Sequence, residues 1–151
     1  MSTGLLFHKD VFFPKGINEA CKNLQKAFGA YSFSRHLTEH FEDQPIENRS
    51  HKYEKDIVEE CLSTLRDTQR DVFEVEMTYS DSGWDITKYC CRIPYDEHQD
   101  VVVAIRPRIA NHRVIGNLVV TAWMNARDDS HTTLDKSKYC SEEEWKQANG
   151  K

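Results

Sequence analysis

Near Arg70 the hydrophobic period of the chain changes from that of a helix to that of a strand, and this switch does most to limit the possible folds. Upstream, Ile17, Ala20, Cys21, Leu24, Ala27 and Phe28 make a helical apolar stripe, with Gly29 as a C-terminal stop. Ser32 or Ser34 can cap a short helix through His36 and His40, with Leu37 and Phe41 inward and Asp43 to Pro45 ending it. A third helix is expected from about Ser50 to Leu65, burying Ile57, Val58, Cys61, Leu62 and Leu65. Downstream, Phe73, Val75, Met77 and Tyr79 alternate with Glu74, Glu76 and Thr78, as in a half-buried strand. The turn Asp81–Ser82–Gly83 leads to a second strand, Trp84 to Arg92, which ends near Pro94. Asp100–Arg106 and Asn117–Asn125 read as third and fourth strands, with Pro107–Gly116 as their connection. Ser141-x-x-Glu144 is a capping box for a last short helix carrying Trp145.

Helices first and strands second predict an α+β fold: N-terminal helices packed on one face of a four-stranded antiparallel meander sheet, with a short C-terminal helix. A chain of 151 residues is the size of one domain with a real core, here 1–151, with about 1–16 and 141–151 peripheral. No apolar run approaches the roughly 20 residues of a membrane span. His8, Lys9 and Asp10 interrupt Met1–Phe13, unlike the core of a signal peptide. Five cysteines, an odd number with no CxxC pair, suggest reduced thiols, a cytoplasmic location and no metal or other cofactor.

The formal charge of −5 conceals an uneven distribution. Acids crowd Glu39–Glu76, whereas none lies between Asp100 and Asp128, where Arg106, Arg108, Arg113 and Arg127 fall in or at the edge. Lys88 and Arg92 stand just upstream. The strand period places Thr121, Trp123 and Asn125 on one sheet face and Leu118, Val120, Ala122 and Met124 on the other, apolar one. On the second strand it sets Ile86, Lys88, Cys90 and Arg92 opposite Asp85, Thr87, Tyr89 and Cys91. Trp123 either offers a stacking surface or packs across strands on Trp84 or Tyr89. If Lys88, Arg92 and Arg106 share the Trp123 face, they form a cationic floor suited to a phosphodiester. His36-Leu-Thr-Glu39-His40 matches the HxxEH pattern, in which two histidines one turn apart bind zinc and the glutamate activates water.

The order of features, a helix bearing Ser34-x-His36 and then a meander with strand-borne cations, resembles the barnase–EndoU–colicin–RelE group of small ribonucleases, in its phage or toxin branch. The resemblance spans about residues 32–139 and rests on Ile86-Thr-Lys88, Arg92-Ile-Pro-Tyr95-Asp96, Asp100–Ile105 and Val119-Val-Thr121-Ala-Trp123. It implies metal-independent RNA cleavage. His36 would be base or acid, Lys88, Arg92 and Arg106 the phosphate clamp, and Thr121 a positioning hydroxyl. His131, chosen for its chemistry, would be the second proton carrier, with His40, His51 and His112 in reserve. Trp123, Asn125 and Arg108 would bind the substrate.

Three functions are thus expected. The first is an RNA-cleaving toxin or phage effector, partnered by RNA and an antitoxin. The second is a non-catalytic phage accessory or inhibitor that binds a host protein or nucleic acid. The third is a zinc hydrolase built on His36, Glu39 and His40.

Overall fold

The computed structural model describes residues 4–43, 55–81, 83–126 and 135–149. The chain runs β1 (Gly4–His8), α1 (Ile17–Lys26), β2 (Tyr31–Phe33), α2 (Arg35–Asp43), α3 (Lys55–Leu62), β3 (Val72–Ser80), β4 (Gly83–Pro94), β5 (Gln99–Ala110), β6 (Arg113–Ala126), a 3-10 turn at Lys136–Lys138 and α4 (Glu142–Asn149). The class is α+β, as the order of periods requires.

The sheet, however, has six strands in the order β1-β3-β4-β5-β6-β2, and β2 runs parallel to β6, so it is not a four-stranded antiparallel meander. The four expected strands are its consecutive centre. Gly4–His8, which sequence placed at the periphery, pairs antiparallel with β3 and buries Phe7 completely. Tyr31–Phe33 is only three residues long, too short for a period to register.

One cross-strand row runs through all six strands: Phe7, Val75, Tyr89, Ile105, Val119 and Phe33. It meets Cys21 of α1, Leu37 of α2, and Val58, Cys61 and Leu62 of α3 in one hydrophobic core. Polar side chains fasten the helices to the sheet. Gln25, fully buried, donates to the Arg70 carbonyl at 2.9 Å and accepts from the Arg70 N–H at 2.6 Å. Asn18 Oδ1 accepts from the Val72 N–H. Ser34 caps α2 by accepting from the Leu37 N–H at 3.1 Å, and its hydroxyl donates to the Val120 carbonyl at 2.7 Å.

The C-terminal capping box forms in both directions: Glu144 N–H to Ser141 Oγ, and Ser141 N–H to Glu144 Oε1. It orients Trp145 edge-on to Phe7 and against Trp84. Just before it, the Cys140 N–H donates to the Leu6 carbonyl at 2.7 Å, occupying part of the outer edge of β1.

Three bulges shift the strand phases read from the sequence. In β6 the pairing steps from Ala104↔Thr121 to Ile105↔Val119, leaving Val120 as the extra residue. Val119 therefore faces the core with Ala122 and Met124, and Leu118 turns to the opposite face, correcting the expected apolar row. In β4, Thr87 and Lys88 together oppose Glu76, so Ile86 packs on the core and Asp85 and Thr87 join Lys88. In β3, Phe73 is the extra residue and Val72 takes the buried place.

Pro107–Gly116, read as a connection, belongs instead to the strands. β5 and β6 continue as a paired arm to Ala110↔Arg113 and close through Asn111 and His112, with φ of 52° and 64°. Two positive φ values define the two-residue turn whose twist suits a hairpin, and it lacks the Asn-Gly or Asp-Gly signal that would reveal it.

Candidate binding cleft

The face of the sheet away from the helices carries the expected polar set. Arg92, Val102 and Trp123 are directly paired, as are Glu74, Cys90, Ala104 and Thr121, and Asp100 with Asn125. Lys88, Arg92 and Arg106 therefore do share a face with Thr121, Trp123 and Asn125. Trp123 does not pack on Trp84 or Tyr89: Trp84 meets Tyr79 edge-on and Trp145 at a tilt, and Tyr89 is buried in the core on the other side.

Two cations on this face, Arg92 and Arg106, pair with carboxylates. Arg92 Nη1 lies 3.6 Å from buried Asp100, and Arg106 Nη1 lies 3.1 Å from Glu76 Oε1. Burial pushes the Glu76 carboxyl up, but the Thr87 hydroxyl, Arg106 and Lys88 outweigh it and hold its pKa below the ordinary value. Further along, the Tyr139 hydroxyl donates to Glu74 Oε1 at 2.7 Å and the Cys90 thiol donates to Glu74 Oε2. Tyr139 thus closes that part of the face. Burial and then Glu74 raise its pKa well above the usual phenol value.

His36 is not with them. It sits exposed on α2, whose Leu37 packs into the core on the opposite side of the sheet from Thr121. Its neighbour is His40, with the two Nε2 atoms 2.9 Å apart. The Glu39 carboxylate turns to Arg35 at 3.4 Å, and no group of three metal-ligating side chains occurs among the described residues. The expected zinc site therefore has neither a third ligand there nor a carboxylate turned to the histidine pair. His131 and His51, like Arg127, Asp128 and Asp129, lie outside the described residues. All five cysteines are free and buried; burial pushes Cys21 and Cys91 up to about 12, which makes them inert as nucleophiles.

The open concavity lies beside this face, where two hairpins diverge. The β4–β5 ladder stops at Tyr89↔Ile105. Past that point the Thr87–Lys88 bulge bends β4, and Pro107 brings no N–H to the β5 edge. β4 from 84 to 88 stays paired with β3 alone, and β5 from 106 to 110 with β6 alone. The gap between them is a cleft of about 500 Å³. Asp85 and Thr87 line one wall, and Arg106, Arg108, Ile109 and His112 the other. Leu118, turned outward by the Val120 bulge, also lines it.

Two of the anticipated residues, Arg106 and Arg108, thus meet here, joined by the reserve histidine His112. Asp85 and Thr87 were not anticipated as site residues, because only the bulge brings them to this face. Pro107 was the available signal that the β4–β5 pairing would fail. Comparison of the chain with family models, curated proteins and solved structures finds no match.

Proposed function

We propose that this is a non-catalytic binding protein whose cleft takes an extended, acidic segment of a partner protein. The observation that carries the reading is the pair of strand edges left open across the cleft, β4 at 84–88 and β5 at 106–110. An extended peptide satisfies such edges by main-chain pairing, and the side chains of the cleft then select its sequence. Arg108 and His112 lie on the β5 wall, so carboxylates are favoured along the arm; Asp85 favours a basic or hydroxyl side chain opposite. Ile109 and Leu118 supply apolar contact. The lining has no Phe, Tyr or Trp on which a base could stack, and the chain is net acidic, both of which favour peptide over nucleic acid.

RNA cleavage is the weaker reading because His36 and the strand-borne cations lie on opposite sides of the sheet, and Arg92 and Arg106 already hold carboxylates.

The test is selection of short random peptides on the immobilised protein, followed by amide mapping with the selected sequence. Enrichment of Asp and Glu is expected, with shifts at 84–88 and 106–112. The double variant Arg108→Glu, His112→Glu should weaken binding by at least about tenfold. Selected peptides that bind this variant equally well would refute the cleft. Incubation with a mixed RNA pool in EDTA should leave the RNA intact. Cuts with 2′,3′-cyclic phosphate ends, lost in His36→Ala, would reinstate the ribonuclease.

A further inference from the structure

We infer that the guest of the cleft is a two-faced β-strand, alternating acidic or hydroxyl residues with branched aliphatic ones, and not a uniformly acidic segment. This rests on the reading of the cleft as a peptide site and names what that site selects.

The cleft passes through the plane of the sheet. Its lining includes consecutive residues on both walls, Asp85–Thr87 on β4 and Arg106–Ile109 on β5. Consecutive strand residues point to opposite faces, so such a lining draws on both faces. A groove lying on one face would be lined by alternate residues alone.

The two sides differ in chemistry. The extra residues of the β5–β6 bulges fall on β6, so the alternation of β5 runs unbroken from buried Ile105. Arg106 and Arg108 therefore point away from the helices, and Pro107 and Ile109 point to the helix side. On β4, Asp85 and Thr87 point away from the helices, whereas Ile86 packs on the core. The outer side is thus charged and polar, with Leu118 at the root of the arm. The helix side is apolar and still accessible, since Ile109 is 50% exposed.

A strand seated between β4 and β5 carries its own alternation through the same plane. Its outward side chains stand between Arg108 and Asp85, which match a carboxylate on the first wall and a hydroxyl on the second. Its helix-side residues cover Ile86 and Ile109, a half-buried surface that suits branched aliphatic side chains. A run of acids would set every second carboxylate on that apolar side, where removing a charge from water is costly.

The test compares two short peptides of one composition on the full chain. One alternates glutamate with valine, and the other carries the same residues in two blocks. The alternating peptide should bind at least about tenfold more tightly by calorimetry, with nuclear Overhauser contacts from its valine methyls to Ile86 and Ile109. Ile109→Thr should weaken the alternating peptide about fivefold and leave the blocked one unchanged, with circular dichroism showing the variant folded. Equal binding of the two peptides, or sequences selected from a random library without this alternation, would overturn the inference and leave the cleft reading standing. If no acidic peptide, selected or designed, shifts the amides of 84–88 and 106–112, the cleft reading falls and the inference with it. A dimer that dissociates when peptide binds would assign the cleft to a second copy of this chain and overturn the inference.

Discussion

The Arg106 guanidinium reaches across β4 to Glu76 on β3, 3.1 Å away, and so pins the root of the β5–β6 arm where the β4–β5 ladder has ended. The pair is partly exposed, with Glu76 at 27% and Arg106 at 43% of their side-chain surface. Its strength is therefore moderated by solvent, but Thr87 adds a hydrogen bond to the same carboxylate at 2.9 Å.

Glu76→Gln should cost about 1 kcal/mol near neutral pH, measured by urea unfolding. The folded Glu76 pKa is depressed, so its contribution is present above the unfolded carboxyl pKa and is lost as pH falls through the folded one. Wild type and variant should converge in acid, below the ordinary carboxylate range. A gap that persists unchanged there would mean that the charge is not what stabilises.

Ile105→Ala removes the centre of the six-strand row and opens a cavity under the helices. Ile105 is fully buried, so unfolding free energy should fall by about 3–4 kcal/mol in chemical denaturation. Ile109→Ala, on the same strand but half exposed on the arm, should change it by less than about 0.5 kcal/mol.

Ser34→Ala takes away the α2 cap and also the donor to the Val120 carbonyl at the β6 bulge. A loss of about 2 kcal/mol is expected, more than a cap alone commonly contributes. Ser34→Asp restores a cap acceptor but not the donor. It should recover part of the loss and leave the bulge amides exchanging faster than in wild type.

His112→Gly relieves a left-handed backbone conformation at the arm tip and should raise stability by about 0.5 kcal/mol. The same change should weaken the selected acidic peptide. A gain in stability together with a loss in affinity would separate the turn's structural cost from its binding role.

Much of the fold was legible because periodicity is a local signal. The stripes of α1 and α3, the Ser34 cap, the Ser141–Glu144 box and the four central strands all rest on residues within a few positions of one another. What escaped detection depends on pairing. A three-residue β2 carries no measurable period, and β1 owes its place to Phe7 meeting Val75 across a ladder. The bulges at Val120 and Thr87 each add one residue to a strand, and a shift of one exchanges its faces, which is why Leu118 and Ile86 were set on the wrong sides. The sharing of a face by Lys88, Arg92, Arg106 and Trp123 survived those shifts. The cleft did not emerge from sequence because it is made by a ladder that stops, and Pro107, which marks the place, does not say which pairing ends there.

Cys140 occupies part of the outer edge of β1, β2 pairs with Asn117–Val119 of β6, and the open edges of β4 and β5 lie on either side of the cleft. A strand entering there would be flanked on both sides and would expose no fresh template to the next arrival. In the proposed binding mode occupancy of the cleft is therefore self-terminating, and each molecule should saturate there at one guest.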